Sequence, residues 1–413
     1  MKSGAYTTDF LVIGGGIIGL SVARELKSKF TDSRVTVIEK ESDCGRHASG
    51  RNSGVLHAGF YYSPDSLKAK FTRLGNTLLT QYCETREIPV NKCGKLVVAR
   101  RREDHAGLDE LLKRGEAYGI PMHDVTAGEA KGIEPRVKTF ERAIFSPTTS
   151  TVDPTKVMEA MQRDAQAEGV DVRCGVRYIS RTRQGLRTSS GFYQAGYVVN
   201  SAGLYADTIA RDFGFSENYR ILPFKGLYLY SNEPIGAIRT NIYPVPDLRN
   251  PFLGVHVTVT ADGRAKIGPT AIPALWREQY AGPANFRLSE FRDIIRRQVG
   301  LLLSSDWEFR RLAIEEVQKY SRRRLVALAS ALVEGVKDEQ YRTWGPPGIR
   351  AQLLNVKSRR LEMDFVIQSD DRSMHILNAV SPAFTCAMPF ATHVCDRINA
   401  RLHGQQSTVS GLA

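Results

Sequence analysis

The spacing of apolar residues changes period twice in the first forty positions. Asp9-Phe-Leu-Val-Ile13 is a short, nearly unbroken apolar run, the pattern of a strand buried on both faces. Gly14 to Gly16 interrupt it. Ile17, Leu20, Ser21, Arg24 and Leu26 then fall at helical spacing before a basic end at Lys27 and Lys29. Arg34-Val-Thr-Val-Ile-Glu39, rich in β-branched residues, reads as a second strand. The opening is therefore a βαβ unit. Residues 40–64 carry Gly, Ser, Asn and His without a period. A loop of that length in a compact domain is functional or disordered; small residues and two histidines favour function.

Helical spacing returns over Asp65–Glu87 and Thr155–Glu168. Strand-like pieces follow at Val170–Arg173, Arg177–Arg181 and Gly185–Ser189, and the apolar run Tyr197–Asn200 ends in Ser201-Ala-Gly203. Ile221–Tyr230, Phe252–Thr260 and Ala265–Ile267 form a β-rich block. Residues 287–336 read as Arg-rich helices. Strands at Phe365–Ile367 and His375–Leu377 and a helix over Thr385–Leu402 close the chain. This interleaving predicts one domain assembled from residues 1–83, 150–218 and 341–413, with a second, from 84–149 and 219–340, inserted into it.

Composition narrows the class. Apolar residues are 42% and charged residues 24%, ordinary globular usage that excludes a disordered chain, a coiled coil and a collagen. A chain of 413 residues buries a large core without a disulfide or metal staple. Cys44, Cys83, Cys93, Cys174, Cys386 and Cys395 show no C-x-x-C spacing; they read as scattered reduced thiols, with no metal site. The uncharged stretch Phe10–Ala23 is shorter than the ~20 residues a spanning helix needs. The expectation is a cytoplasmic protein, at most peripheral on the inner membrane face. Lys and Arg total 57 against 44 Asp and Glu, a net charge of +13. An anionic substrate, an anionic membrane surface or a nucleic acid would each suit that balance.

The sharpest chemical signal is Gly14-Gly15-Gly16-Ile17-Ile18-Gly19, a G-x-G-x-x-G directly after a strand and opening a helix. Its glycines allow a tight turn, close approach of backbone to a pyrophosphate, and close helix–strand packing. The helix N-terminus offers N–H groups and a positive dipole end to phosphate. Glu39, 20 residues after Gly19, is placed to accept from ribose hydroxyls. The fingerprint serves NAD and FAD alike. The loop His47–Gly54 and the stretch Val198–Gly203, each able to run beside the cofactor, favour FAD.

These residues resemble a known group. Gly14–Gly19, Glu39-Lys40, Ser49-Gly-Arg-Asn-Ser-Gly-Val-Leu-His-Ala-Gly-Phe-Tyr-Tyr62, Asn200–Gly203, Gly348-Ile-Arg-Ala-Gln352 and Ser381-Pro-Ala-Phe-Thr385 look like the FAD-dependent D-amino-acid-oxidase-type superfamily. Ser66-Leu-Lys-Ala-Lys70 and Leu253-Gly-Val-His256 are similar to its L-2-hydroxyglutarate oxidase/dehydrogenase family. The resemblance runs from about residue 9 to 403. It implies an α/β plus α+β fold: a Rossmann-like FAD-binding domain of the GR2 type with an inserted β-sheet substrate domain. It implies oxidation of a 2-hydroxy acid to the 2-oxo acid, with electrons passed to quinone or oxygen. On it, the cofactor contacts are Gly14, Gly15, Gly16, Ile17, Ile18, Gly19, Glu39, Lys40, His47, Ser49, Arg51, Asn52, Ser53, Gly54, Val176, Ala202, Gly203, Gly348, Ser381, Pro382, Ala383, Phe384 and Thr385. His47 is either a site of covalent flavin attachment, as in related amine dehydrogenases, or a polar neighbour. The chain departs from the family at Lys225-Gly-Leu-Tyr228, where an Arg-Gly-Glu-Tyr-like segment is expected, at Thr270–Pro273 and at Cys386–Met388. These departures bear on the substrate more than on the flavin.

Oxidising a hydroxy acid needs a base for the hydroxyl proton and cations for carboxylates. His57 and His256 are the candidate bases, since an imidazole titrates near neutrality; a packed structural histidine is the bland alternative for each. Arg350 and Lys225 are candidate carboxylate partners, although lysine lacks the planar fork of arginine. Tyr61 and Tyr62 donate phenolic hydrogen bonds or pack as walls, with Tyr62 placed at the site. Arg292, Arg296, Arg297, Arg310, Arg311, Lys319 and Arg322–Arg324 read as a solvated basic face, with anionic lipid as the alternative. They lack the aromatic interleaving of a nucleic-acid module, so no nucleic acid is expected. The rival functions are a flavin amine or amino-acid oxidase and a flavin-containing nucleic-acid-binding protein.

Overall fold

The computed structural model describes residues 5–247, 254–304, 316 and 318–404. Phe252, Leu253, Arg310 and Arg311, named above, lie outside them. Two compact units emerge: Met1–Gly50, Thr155–Ile221 and Leu353–Ala413 form one, Arg51–Pro154 and Leu222–Gln352 the other.

The first unit is built on a sheet whose strands follow the order Tyr178–Thr182, Gly185–Thr188, Gly191–Asn200, Tyr6–Ile13, Val35–Ile38, Asp171–Arg173. Ser373–Asn378 adds to Gly191–Asn200 in parallel, and Val366–Ser369 pairs with it in turn. The strands Gly191–Asn200, Tyr6–Ile13, Val35–Ile38 and Asp171–Arg173 run parallel to one another. Phe10 to Ile13 and Val35 to Ile38 are all buried, as a sheet covered on both faces requires. Helices Ile17–Lys29 and Ala383–Leu402 pack against each other, with the Cys395 thiol reaching the Val22 carbonyl (3.7 Å) and Lys29 pairing with Asp396 (2.8 Å). Tyr197–Asn200 proves to be the end of a ten-residue strand. Its earlier half alternates in exposure where it meets the antiparallel hairpin 178–188.

The second unit carries an eight-stranded sheet in the order Thr343–Trp344, Leu229–Tyr230, Ala265–Gly268, His256–Val259, Asn241–Pro244, Lys95–Val98, Arg142–Ser146, His123–Thr126. Its register sorts side chains by face. Leu96, Val98, Ile242, Val257, Val259, Ala265 and Ile267 form one core with Leu325, Val326 and Ala329 of helix Arg322–Ser330. The other face carries Lys95, Asn241, Tyr243, His256, Thr258 and Lys266, because residues two apart share a face.

The units divide the chain differently from the sequence expectation. Val55–Leu56 pairs with Ser150–Val152, which pairs with Val90–Asn91. That small sheet draws residues 51–83 and 150–154 into the second unit. Residues 341–352 join it too, through pairing of Thr343–Trp344 with Leu229–Tyr230.

The basic segment is not a uniformly solvated face. Lys319 is buried against Glu316, Arg297 pairs with Asp293 (2.7 Å) and Arg322 with Asp338. Arg292, Arg296, Arg323 and Arg324 are exposed. Among the described residues no helix is long and apolar enough to cross a membrane.

Candidate active site

In the first unit, register aligns Ile13 with Ile38 and with Asn200, so Gly14, Glu39 and Ser201 leave the sheet at the same edge. Gly14 has φ +109°, and a Cβ there would lie 2.7 Å from the Ser201 carbonyl oxygen. A Cβ on Gly19 would lie 1.9 Å from the Gly14 carbonyl oxygen, and one on Gly15 would lie 2.5 Å from Cys44 Sγ. The turn therefore excludes side chains. Glu39 is buried, and its carboxylate accepts from the Gly15 N–H (2.7 Å) and the Glu41 N–H (3.0 Å). Val176 lies beside it: its N–H donates to the Glu39 carbonyl (2.8 Å), and its side chain packs with Ile13 and Ile38.

Helix Ile17–Lys29 starts at Gly16 without a side-chain cap and without an acid in its first turn. The Ile17 N–H donates to Ser49 Oγ (2.9 Å), which brings the loop after Glu39 over the helix start. Ile18 is buried. Ala383–Leu402 likewise begins after Pro382 with no side-chain cap and no acid in its first turn. Ala383 and Thr385 are buried, Phe384 half-buried and Ser381 exposed. The Ala202 N–H donates to Asn200 Oδ1 (3.2 Å), and open space lies where Gly203 would carry a Cβ. An excluded-side-chain turn, a positive helix end with no acid in its first turn and a carboxylate at the neighbouring strand end suit a dinucleotide: N–H groups for phosphate, an acid for ribose.

Lys40 and His47 converge on Glu41, with His47 Nε2 2.9 Å from Glu41 Oε1. Burial pushes the Glu41 carboxyl up, but the Lys40 and His47 hydrogen bonds outweigh it and hold the group at about 2. Cys44 and Cys174, far apart in sequence, are brought together: their sulfurs stand 4.0 Å apart.

Arg51, Asn52, Ser53, Gly54 and Gly348 belong to the second unit. Asn52 Oδ1 accepts from the Gly54 N–H (2.8 Å), and Gly54, at φ +77°, has the Val152 carbonyl oxygen 2.2 Å from where a Cβ would stand. A Cβ on Gly348 would lie 2.3 Å from the Arg51 carbonyl oxygen. The Arg51 guanidinium lies 4.6 Å from the centre of the Tyr280 ring.

The polar face of the eight-stranded sheet gathers the titratable groups. His256 and Tyr243 are cross-strand neighbours with stacked rings. His256 Nδ1 is 3.0 Å from the Gly254 carbonyl oxygen. A carbonyl only accepts, so Nδ1 carries the hydrogen and Nε2 keeps the lone pair. Burial holds the His256 imidazole well below its ordinary value; the charges of Lys95, His57 and Arg350 act in the same direction, against the Gly254 hydrogen bond. His57 is buried as well and is held down by burial and by Lys95. Gly268 faces His256 across the next strand pair and adds no side chain there.

Arg350 Nη1 donates to the Thr270 carbonyl (3.3 Å), and the Thr270 hydroxyl donates to the Lys225 carbonyl (2.9 Å). Burial pushes the half-buried Lys225 ammonium down. Tyr62 is half-buried, with Lys68 Nζ 5.8 Å from its ring centre, whereas Tyr61 is buried. His57 and Arg350 thus both act on His256, and of the two tyrosines Tyr61 rather than Tyr62 is the buried one.

Sequence reasoning missed four members. Lys95 is wholly buried. Lys266, pushed down to about 8 by burial, donates to the Ser53 carbonyl (3.1 Å). Burial raises Tyr228 to about 12, against the opposing charge of Arg350, and it raises Tyr243 further. The visible signal was a lysine inside each of two apolar strands, Lys95–Val98 and Ala265–Gly268.

Residues 9–397 match the model of the DAO family, FAD dependent oxidoreductase. The chain belongs to that family. It is 32% identical over 412 residues to an L-2-hydroxyglutarate dehydrogenase of Escherichia coli (strain K12), covering 97% of this chain and 95% of that one. It is 34% identical over 418 residues to the mitochondrial L-2-hydroxyglutarate dehydrogenase of Homo sapiens, covering 95% and 89%. In fold it is similar to the dithionite-reduced, FAD-bound L-α-glycerophosphate oxidase of Mycoplasma pneumoniae (TM-score 0.76, 21% identity, 95% of each chain). It is also similar to glycine oxidase from Geobacillus kaustophilus (TM-score 0.74, 20% identity, 99% of this chain and 98% of that one). The cofactor of this flavoenzyme is FAD, and the turn Gly14–Gly19 with Glu39 is the part of the first unit suited to hold it.

Proposed function

We propose that this protein oxidises the C2 hydroxyl of a 2-hydroxy dicarboxylate, L-2-hydroxyglutarate or a close analogue, to the 2-oxo acid. The similarity to L-2-hydroxyglutarate dehydrogenases along almost the whole chain carries this reading. The chemistry of the second unit supports it. Bound FAD supplies a hydride acceptor. The protein must take the hydroxyl proton and hold the carboxylates. His256 Nε2, with a lone pair fixed by the Nδ1–Gly254 contact and an imidazole kept uncharged by burial, is the proposed proton acceptor. His57 is the second candidate. Arg350 is the proposed partner of the 1-carboxylate through charge-assisted hydrogen bonds, and Lys225 of the distal carboxylate.

Anaerobic mixing with L-2-hydroxyglutarate, its D enantiomer, small 2-hydroxy acids, amino acids and secondary amines tests the reading. Bleaching of the flavin by L-2-hydroxyglutarate is expected. Bleaching by amines or amino acids alone would replace this function with the rival amine oxidation. The proposed electron acceptor is quinone or oxygen, separated by comparing quinone reduction with peroxide release. The exposed Arg292, Arg296, Arg323 and Arg324 are proposed to meet anionic lipid if quinone is the acceptor. Sedimentation with anionic vesicles checks that contact.

A further inference from the structure

Lys95 is wholly buried in the described structure, and its ammonium has no hydrogen-bond partner among the described residues. No carboxylate there pairs with it. Three rings surround it instead: Tyr243 at 4.4 Å from ring centre to Nζ, Tyr61 at 4.8 Å and Phe60 at 5.5 Å. Burying a cation without a counter-charge is costly, and aromatic faces offset only part of that cost. A fold retains such a group where its charge serves a neighbour.

The neighbours are identifiable. Strand Asn241–Pro244 lies between the strand of Lys95 and that of His256, and all three residues, with Tyr243 central, project from one face of the sheet. His57 follows the short strand Val55–Leu56 and also feels the Lys95 charge. The groups facing His256 are Lys95, His57, Arg350, the Tyr243 ring and the Gly254 carbonyl. Cys93 is the further titratable group acting on Lys95.

We infer that Lys95 is a positioning residue for the oxidation: its ammonium, held against the Tyr243 ring on which His256 is stacked, adds to burial in keeping His256 and His57 uncharged and ready to accept a proton. The order of protonation fits. Burial brings Lys95 to about 7 and drives both imidazoles well below their usual range. On acidification Lys95 charges first, and a charged Lys95 opposes a second positive charge beside it.

The inference rests on the proposed 2-hydroxy-acid oxidation for its kinetic consequence, but not for its electrostatic one. The test therefore uses two readouts on the FAD-loaded protein. Imidazole NMR titration, which needs no substrate, follows the charge of His256 and His57. Anaerobic flavin reduction by L-2-hydroxyglutarate gives the pH profile of kcat/KM. In K95M both imidazole titrations and the acid limb should move up by about one pH unit. Where the wild type still works on the plateau, that costs up to about tenfold in kcat/KM. K95R, permanently charged, should keep the wild-type limb. Unmoved titrations in K95M overturn the inference, as does a wild-type His256 that titrates at or above the ordinary imidazole value. If K95M does not fold, K95R decides: a limb displaced upward overturns the inference, and an unmoved limb supports it. A wild-type flavin that L-2-hydroxyglutarate does not bleach would remove the proposed substrate and leave the titration result standing.

Discussion

The imidazole of His256 lies 3.6 Å from the phenol ring of Tyr243, centre to centre, with the planes only 16° apart. That stack, with Nδ1 fixed on Gly254, gives the imidazole one orientation and leaves one nitrogen available. Replacing His256 by Ala should lower the flavin-reduction rate by about 10²–10⁴-fold, the usual contribution of a positioned base. Flavin content should be unchanged. Stopped-flow reduction at saturating substrate is the measurement, and a loss below tenfold would move the base to His57.

Arg350 and Lys225 are expected to act on binding. A charge-assisted hydrogen bond is worth about 1.5–3 kcal/mol, so R350M should reduce kcat/KM by roughly 10–150-fold, mainly through KM. K225M should weaken dicarboxylates more than monocarboxylates. Steady-state kinetics on a series of 2-hydroxy acids of differing length checks both.

The glycine turn predicts a graded response. G19A puts a methyl group 1.9 Å from the Gly14 carbonyl oxygen and should yield protein without bound flavin. At Gly16 the added carbon meets only Ser49 Oγ, at 3.0 Å, so G16A should keep a measurable flavin fraction. The absorbance ratio of flavin to protein distinguishes them.

The βαβ opening, the glycine turn and Glu39 were legible in the sequence because their constraints are local. Only glycine tolerates the Gly14–Ser201 approach, and that requirement shows in the residues themselves. The junction at residue 51 was not legible, because the two-residue strand Val55–Leu56 takes its place from a partner almost a hundred positions away. His256 and Arg350 could be nominated by residue type, but Lys95 could not. Its significance depends on register among three strands, which fixes whether a lysine points at Tyr243 or into the apolar core with Leu96. The proximity of Cys44 and Cys174 is hidden for the same reason, since the parallel pairing of Val35–Ile38 with Asp171–Arg173 creates it.

Lys95 also has a signature in stability. Its folded value of about 7 lies below the ordinary 10.5, so the unfolded chain binds more protons between those limits. Stability should therefore rise as pH climbs from about 7 towards 10.5, and this contribution is lost as pH falls through 7. K95M should melt a few degrees higher than the wild type at pH 7 while working less well at acid pH. Calorimetry across pH checks the sign: a K95M that melts lower would mean that the ammonium stabilises the fold.

The sheet of the first unit takes its strands from widely separated stretches of the chain: Tyr6–Ile13 pairs with Gly191–Asn200, which in turn pairs with Ser373–Asn378. During synthesis Tyr6–Ile13 pairs early with Val35–Ile38 but must wait for its second neighbour, made nearly two hundred residues later, and Ser373–Asn378 follows later still. Such long-range closure makes for slow folding. Nascent chains halted before residue 370 would expose an unpartnered strand edge, an opening for chaperones or for aggregation.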